Sequence, residues 1–247
     1  MRTARVAEPD VPPAALARQR ARRDRAYWSD LVFGRTIPAL VAGVFLLDQG
    51  LLLADALRSV AVHGSAGAWQ SAFNRLLSLA YFGLLLFLYV VRLKPRAGLR
   101  RPEVWVVSFA GTFAILSVAY LPGVHHGAGV VLVANLLITV GVAYALWGLL
   151  YLRRSFSILP EARRLVTTGP YGLSRNPLYL GEFTASLGVV LPNFGPWQSL
   201  VLVVFIACQL LRIRWEEQVL TRTFPDDYKE YFKSVPRFIP QPWRRSR

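Results

Sequence analysis

The sequence predicts an all-α, polytopic membrane protein, and three observations carry that expectation. Hydrophobic residues make up 54% of the 247-residue chain and mean hydropathy is +0.36, more than a soluble core of this size uses. Apolar stretches recur at about 37–53, 76–91, 104–121, 130–152, 178–191 and 197–213, most of them near the roughly 20 residues that cross about 30 Å of hydrocarbon. This pattern predicts six transmembrane helices, two of them short. The third observation is charge. Of the 29 Lys and Arg residues, all but Arg35, Arg58 and Arg75 fall within 1–32, 92–103, 153–177 and 212–247, alternate segments on one side of the predicted crossings. The positive-inside rule then puts both termini in the cytoplasm. Topology thereby accounts for the formal charge of +15, and no nucleic-acid partner is expected.

Residues 1–32 hold Pro9, Pro12 and Pro13, then Arg18, Arg20, Arg22, Arg23 and Arg25 ahead of Tyr27 and Trp28. They read as a basic tail and juxtamembrane helix drawn to anionic membrane lipids and ending in interface anchors. A cleavable leader is not expected, because the leading segment is long and Asp48 and Gln49 interrupt the first apolar run. Residues 33–127 are expected to form an N-terminal group of transmembrane helices. Within it, Asp48 lies near Gln49, Gly50 and Asp55. There the helix is expected to end early or face the bundle, the acid having a structural role. Arg58 and Arg75 are placed in or beside the outer loops. Residues 92–103 read as a cytoplasmic turn and 122–129 as a short outer loop, whose adjacent His125 and His126 cannot point together at one metal. No metal site is expected. Cys208, inside the last span, is expected to pack rather than react.

Residues 128–247 carry the unusual polar motifs. Pro177 suits a first helical turn, so the fifth helix should start there. The apolar run beyond Glu182 ends at Leu191, about 14 Å of helix later, before a turn at 192–196. Glu182 is thus placed about half-way into the hydrocarbon and Arg175 about 10 Å nearer the cytoplasm. Neither can face lipid, so both are expected to line a protein cavity. The sixth helix overruns the bilayer and puts Glu216 and Glu217 just beyond it. An (i, i+4) pair of Arg212 with Glu216 would explain one glutamate and leave the other. Carboxylates here can accept ribose hydroxyls, an arginine can fork onto a carboxylate, amides near a helix start can bond polar heads, and Tyr171, Tyr179 and Trp215 can stack a ring. That set suits a nucleotide-like ligand bearing an amino acid, and spacing alone does not name it. No Gly-x-Gly-x-x-Gly follows a strand.

"LVTTGPYGLSRNPLYLGE" (165–182), then the Glu216–Glu217 pair, then "DDYKEYFKSVPRFIP" (226–240) resemble the isoprenylcysteine carboxyl methyltransferase and phospholipid methyltransferase superfamily of integral membrane enzymes. The family pattern is met at Gly169, Tyr171, Arg175, Pro177, Tyr179, Gly181, Glu216, Glu217, Tyr228, Tyr231, Val235 and Pro240. The resemblance covers about 128–240 and implies S-adenosyl-L-methionine bound at the cytoplasmic face, with a lipophilic small-molecule or lipid substrate entering sideways from the membrane. It implies cofactor-binding roles for Val166, Gly169, Pro170, Tyr171, Arg175, Asn176, Tyr179, Glu216 and Glu217. Catalytic roles fall to Arg175, Arg237 and Asn176, and substrate contacts to Glu182 and Tyr231. Two departures matter. Asn176 stands where the family has histidine, which removes a histidine base. Ser234 stands where prenylcysteine enzymes often carry arginine, which weakens prenylcysteine as substrate. Without a histidine in these segments, an acceptor that is already ionised, such as a carboxylate, is favoured. NADPH-dependent sterol-type reductases share a similar stretch through Gly181 and Glu182 but are not resembled at the glutamate pair. A transporter would carry polar residues along several spans, whereas few are expected here besides Asp48, Gln49, Asn135, Glu182 and Gln209.

Overall fold

A computed structural model describes residue 28 and residues 30–99, 101–124 and 126–239. The basic tail before Trp28, His125 and Pro240 lie outside the described residues. After a π-helical stretch (Asp30–Thr36), α1 (Ile37–His63) carries Pro38 in its first turn and ends where Gly64 adopts φ 58°, a left-handed conformation that suits glycine. The Ser65 hydroxyl then accepts from the Ala68 amide at 3.2 Å and starts α2 (Ala66–Val91). Asp48 therefore does not end α1. Arg75 is not in or beside a loop but inside α2, because the helix begins ten residues earlier than the apolar run. Its polar first half, with Gln70, Asn74 and Arg75, is turned toward the neighbouring helices, where it is bonded.

Next come α3 (Pro102–Phe113), continued by a 3-10 stretch (Ala114–Tyr120), then α4 (Ala128–Leu152), α5 (Pro177–Val190), α6 (Pro196–Thr223) and α7 (Pro225–Ser234). Proline opens four of these helices, at the position where its missing N–H is no loss. Segments 34–63, 66–91, 128–155 and 196–223 are long and apolar enough to cross a bilayer, and 102–118 forms a shorter apolar helix. With the 14-residue α5, this is an all-α polytopic membrane protein. Among the described residues the one extended pairing is antiparallel, β1 (Ala97–Gly98) against β2 (Glu161–Ala162), and it ties the 92–103 turn to the loop after α4.

The bundle packs α1 on α2, α4 on α5 and α3 on α6, with α2 also against α4. The α4–α5 seam is the closest. A Cβ on Gly181 would meet the Ala145 amide and the Gly141 carbonyl at 2.6 Å, and one on Gly188 would meet the Ala134 carbonyl at 2.5 Å. In lipid, where apolar side chains gain nothing by leaving hydrocarbon, small residues let helices associate by close contact. Near the end of this seam, Leu149, Ile158, Leu159 and Leu178 are buried together with Leu88 and Tyr89. That core holds the start of α5 against the loop that follows α4.

Candidate active site

The candidate site is built where the loop before α5 meets the chain after α7. Gly169 has φ 63°, and any side chain there would run into the Tyr151 ring, so the tight turn depends on glycine. The turn Gly169–Gly172 buries Pro170 and Tyr171. From there the backbone is stitched to the tail. The Arg175 amide donates to the Pro236 carbonyl at 2.8 Å. Ser174 Oγ and Asn176 Nδ2 both donate to the Arg237 carbonyl, at 3.1 and 3.2 Å, and the Tyr231 hydroxyl donates to the Tyr171 carbonyl at 2.7 Å. The Asn176 amide, at the position of the absent family histidine, thus holds the two segments together.

Arg175 lies inside this clasp with its side chain 8% exposed. Its guanidinium carbon sits 3.8 Å from the centre of the Phe232 ring, and Nη2 is 3.7 Å from Glu217 Oε1. Nε and Nη1 are buried and make no hydrogen bond. Arg237 grips both oxygens of Glu217, with Nη2 on Oε2 and Nε on Oε1; this contact raises the Arg237 pKa. Glu216 accepts from the Tyr179 hydroxyl. The Arg212–Glu216 pair does not form, because Arg212 turns into the bundle and donates to Gln209 Oε1 at 2.7 Å and Thr112 Oγ1 at 3.2 Å.

One pocket gathers Val166, Tyr171, Arg175, Asn176, Tyr179, Glu216, Glu217 and Tyr231. Gly169 and Pro170 shape the turn beneath it. Arg237 faces a second compartment that shares Glu217 and Tyr228 with the first, so the Arg237–Glu217 contact stands between them. The inner compartment holds about 100 Å³ and the outer about 350 Å³. Trp215 lines neither. Glu182 lies elsewhere, accepting from the Tyr81 hydroxyl at 2.8 Å and from Gln209 Nε2 at 2.5 Å, on the wall of a cavity inside the membrane bundle. It lines a protein cavity, as its depth required, without touching the loop.

Burial pushes the phenols of Tyr171, Tyr228 and Tyr231 well up, with the charge of Glu216 adding to the effect on Tyr171 and that of Glu217 to the effect on Tyr228. They can donate hydrogen bonds at neutral pH and cannot act as bases there. The pocket also contains residues that sequence reasoning missed. The Arg163 side chain is fully buried, donates from Nη2 to Glu161 Oε2 and from Nε to the Leu93 carbonyl, both at 2.7 Å, and keeps Nη1 unpartnered. Its only sequence signal is membership of a basic loop, whose charge membrane topology already explains.

Residues 126–227 match the phospholipid methyltransferase family. This stretch of the chain is similar to the membrane phospholipid methyltransferases. Curated proteins are similar as well. A nickel-cobalt-cadmium resistance protein, NccN, of Alcaligenes xylosoxydans xylosoxydans is 29% identical over 115 residues, 46% of this chain and 51% of that protein. A protein-S-isoprenylcysteine O-methyltransferase of Saccharomyces cerevisiae is 41% identical over 93 residues, 35% of this chain and 38% of that protein. Protein-S-isoprenylcysteine O-methyltransferase B of Arabidopsis thaliana is 26% identical over 218 residues, 86% of this chain and 96% of the plant protein. The chain therefore spans about half the length of the first of these relatives and less than that of the yeast protein.

Proposed function

We propose that the protein transfers a methyl group from S-adenosyl-L-methionine to the polar head of a lipophilic acceptor, a carboxylate of the isoprenylcysteine type, at the cytoplasmic face of the membrane. The observation that carries this reading is the Arg175 guanidinium. It is buried beside Glu216 and Glu217, with two donors still free to bind a ligand. A desolvated cation with unused donors is costly unless a ligand completes it.

The donor set fits the cofactor. Glu216 and Glu217 can accept ribose hydroxyls, and Tyr171 and Tyr179 offer aromatic faces. Size is met only if the Arg237–Glu217 contact opens, because the inner compartment alone is smaller than the roughly 300–1,000 Å³ of ordinary ligand pockets. When bound, S-adenosyl-L-methionine supplies an electrophilic methyl group on a sulfonium. Arg175 holds the acceptor carboxylate in line with it, which converts an encounter into an oriented displacement. Phe232 and Tyr171 exclude water from the reacting atoms. A carboxylate needs no base, which agrees with Asn176 having no transferable proton and with phenols that stay protonated.

Calorimetry on the detergent-purified chain should give micromolar binding of S-adenosyl-L-methionine and its demethylated product. Labelled methyl transfer to an S-prenylated N-acylcysteine should follow. Heat with NADPH and none with either sulfur compound would replace this reading with the reductase one.

A further inference from the structure

The bundle encloses a larger cavity of about 550 Å³ between α1, α2, α4 and α5, with the end of α3 and its 3-10 extension also lining it, inside the range of ligand pockets. Its wall along α2 runs from Ser71 to Tyr89, about 27 Å at 1.5 Å per residue, nearly the thickness of the hydrocarbon. Most of the cavity lining as a whole is apolar, as a hydrocarbon tail requires, while along α2 Ser71, Asn74, Arg75 and Ser78 gather at one end. At the Tyr89 end it approaches the candidate site. Thr112 and Glu182 line it there; Arg212 donates to Thr112 directly and is linked to Glu182 through Gln209, and its guanidinium carbon lies 5.2 Å from the centre of the Tyr179 ring on the pocket side.

The opposite end is different. Asp48 and Arg75 both line it, and Gln49 stands between them. Arg75 Nη1 donates to Gln49 Oε1 at 3.3 Å, and Gln49 Nε2 donates to Asp48 Oδ2 at 3.1 Å. Among the described residues neither charged group has any other bond, whereas a guanidinium carries five donors and a carboxylate about four acceptor sites. The neighbouring amides do not share this condition. Asn74 bonds Asn135 at 3.1 Å, and Thr139 and Gln70 complete that network. Those groups pin α2 to α4 and need nothing further. An aspartate and an arginine inside a membrane span, each mostly unengaged, mark a site for a ligand. Their charges sum to zero, so the group that suits both is one that donates and accepts without bearing charge.

We propose that this cavity holds the tail of the acceptor and selects tails that end in an uncharged donor–acceptor group, a hydroxyl or an amide, over plain hydrocarbon. The methyl-transfer reading supplies only the direction of the acceptor, head at Arg175 and tail toward Arg75. Asp48 is exposed and Arg75 half-buried; a saturated tail laid against them would cover both without giving either a partner, whereas a terminal hydroxyl donates to Asp48 and accepts from Arg75.

The test compares hexadecanoic acid, ω-hydroxyhexadecanoic acid and hexadecanedioic acid, each titrated calorimetrically into the full chain in detergent. The hydroxy acid should bind about tenfold tighter than hexadecanoic acid. Arg75→Met and, independently, Asp48→Leu should each remove most of that preference while S-adenosyl-L-methionine affinity stays unchanged. Equal binding of all three probes, tighter binding of the diacid, or a hydroxyl preference that survives in a folded variant would each overturn the proposal. Loss of cofactor binding in the unmodified chain with the hydroxyl preference intact would sink methyl transfer and leave the tail site standing.

Discussion

Arg175 is held from three sides: its amide by Pro236, its guanidinium face by Phe232, its edge near Glu217. Lysine could reach the same place but has neither a planar face for the ring nor a fork of donors. Arg175→Lys should therefore lose most turnover in a labelled methyl-transfer assay, with a smaller loss of cofactor affinity; normal activity would remove Arg175 from the reaction. A charged hydrogen bond lost from a sheltered site costs roughly 1.5–3 kcal/mol, so Glu216→Ala or Glu217→Ala should weaken S-adenosyl-L-methionine binding about tenfold or more. Unchanged affinity in both would make the pair structural. The phenols give a further expectation. Tyr171, Tyr228 and Tyr231 have pKa values raised by folding, so their contribution is intact below the unfolded value of about 10 and is lost as pH rises above it. The melting temperature in detergent should fall over that alkaline range, and by less in Tyr231→Phe. Residues in the two motif segments were legible beforehand because a tight glycine turn and a glutamate pair have few other uses. Arg163 and Arg75 were not, since burial of an arginine is decided by what packs over it.

At the scale of elements, the α4–α5 seam is the most exacting part of the fold. Gly181→Ala already puts a methyl group against backbone at 2.6 Å, and relief would need α5 to shift, carrying Tyr179 and the start of the site with it. Overpacking of this kind costs typically 1–3 kcal/mol, so Gly181→Val should lower the melting temperature measured by tryptophan fluorescence and reduce cofactor binding together. A variant with unchanged melting would show that the seam can relax. The helix start at Pro177 could be read from the sequence, because proline suits a first turn by its geometry; Pro102, Pro196 and Pro225, which read as parts of turns or of a helix end, open helices in the same way. The start of α2 could not be read. Its first half is polar, and only the facing residues Gln49, Asn135 and Thr139 reveal that those polar groups are paired inside the bundle.

For the whole molecule, basic residues on alternate connections predict both ends on one side. With Cys208 replaced by alanine, a cysteine at Ala97 should react with a membrane-impermeant thiol reagent only when the cytoplasmic face is opened, and one at Ser65 should react from outside. The reverse pattern would invert the protein and its site. α5 has 14 residues, about 21 Å of helix. It falls short of a bilayer that four other helices are long enough to cross, so the surrounding lipid is left with a thickness it cannot match evenly. Lipids beside α5 must compress or bring their headgroups inward. Turnover should accordingly rise in vesicles of shorter-chain phospholipids and fall in thick, sterol-stiffened ones, making membrane composition a partner in setting the rate.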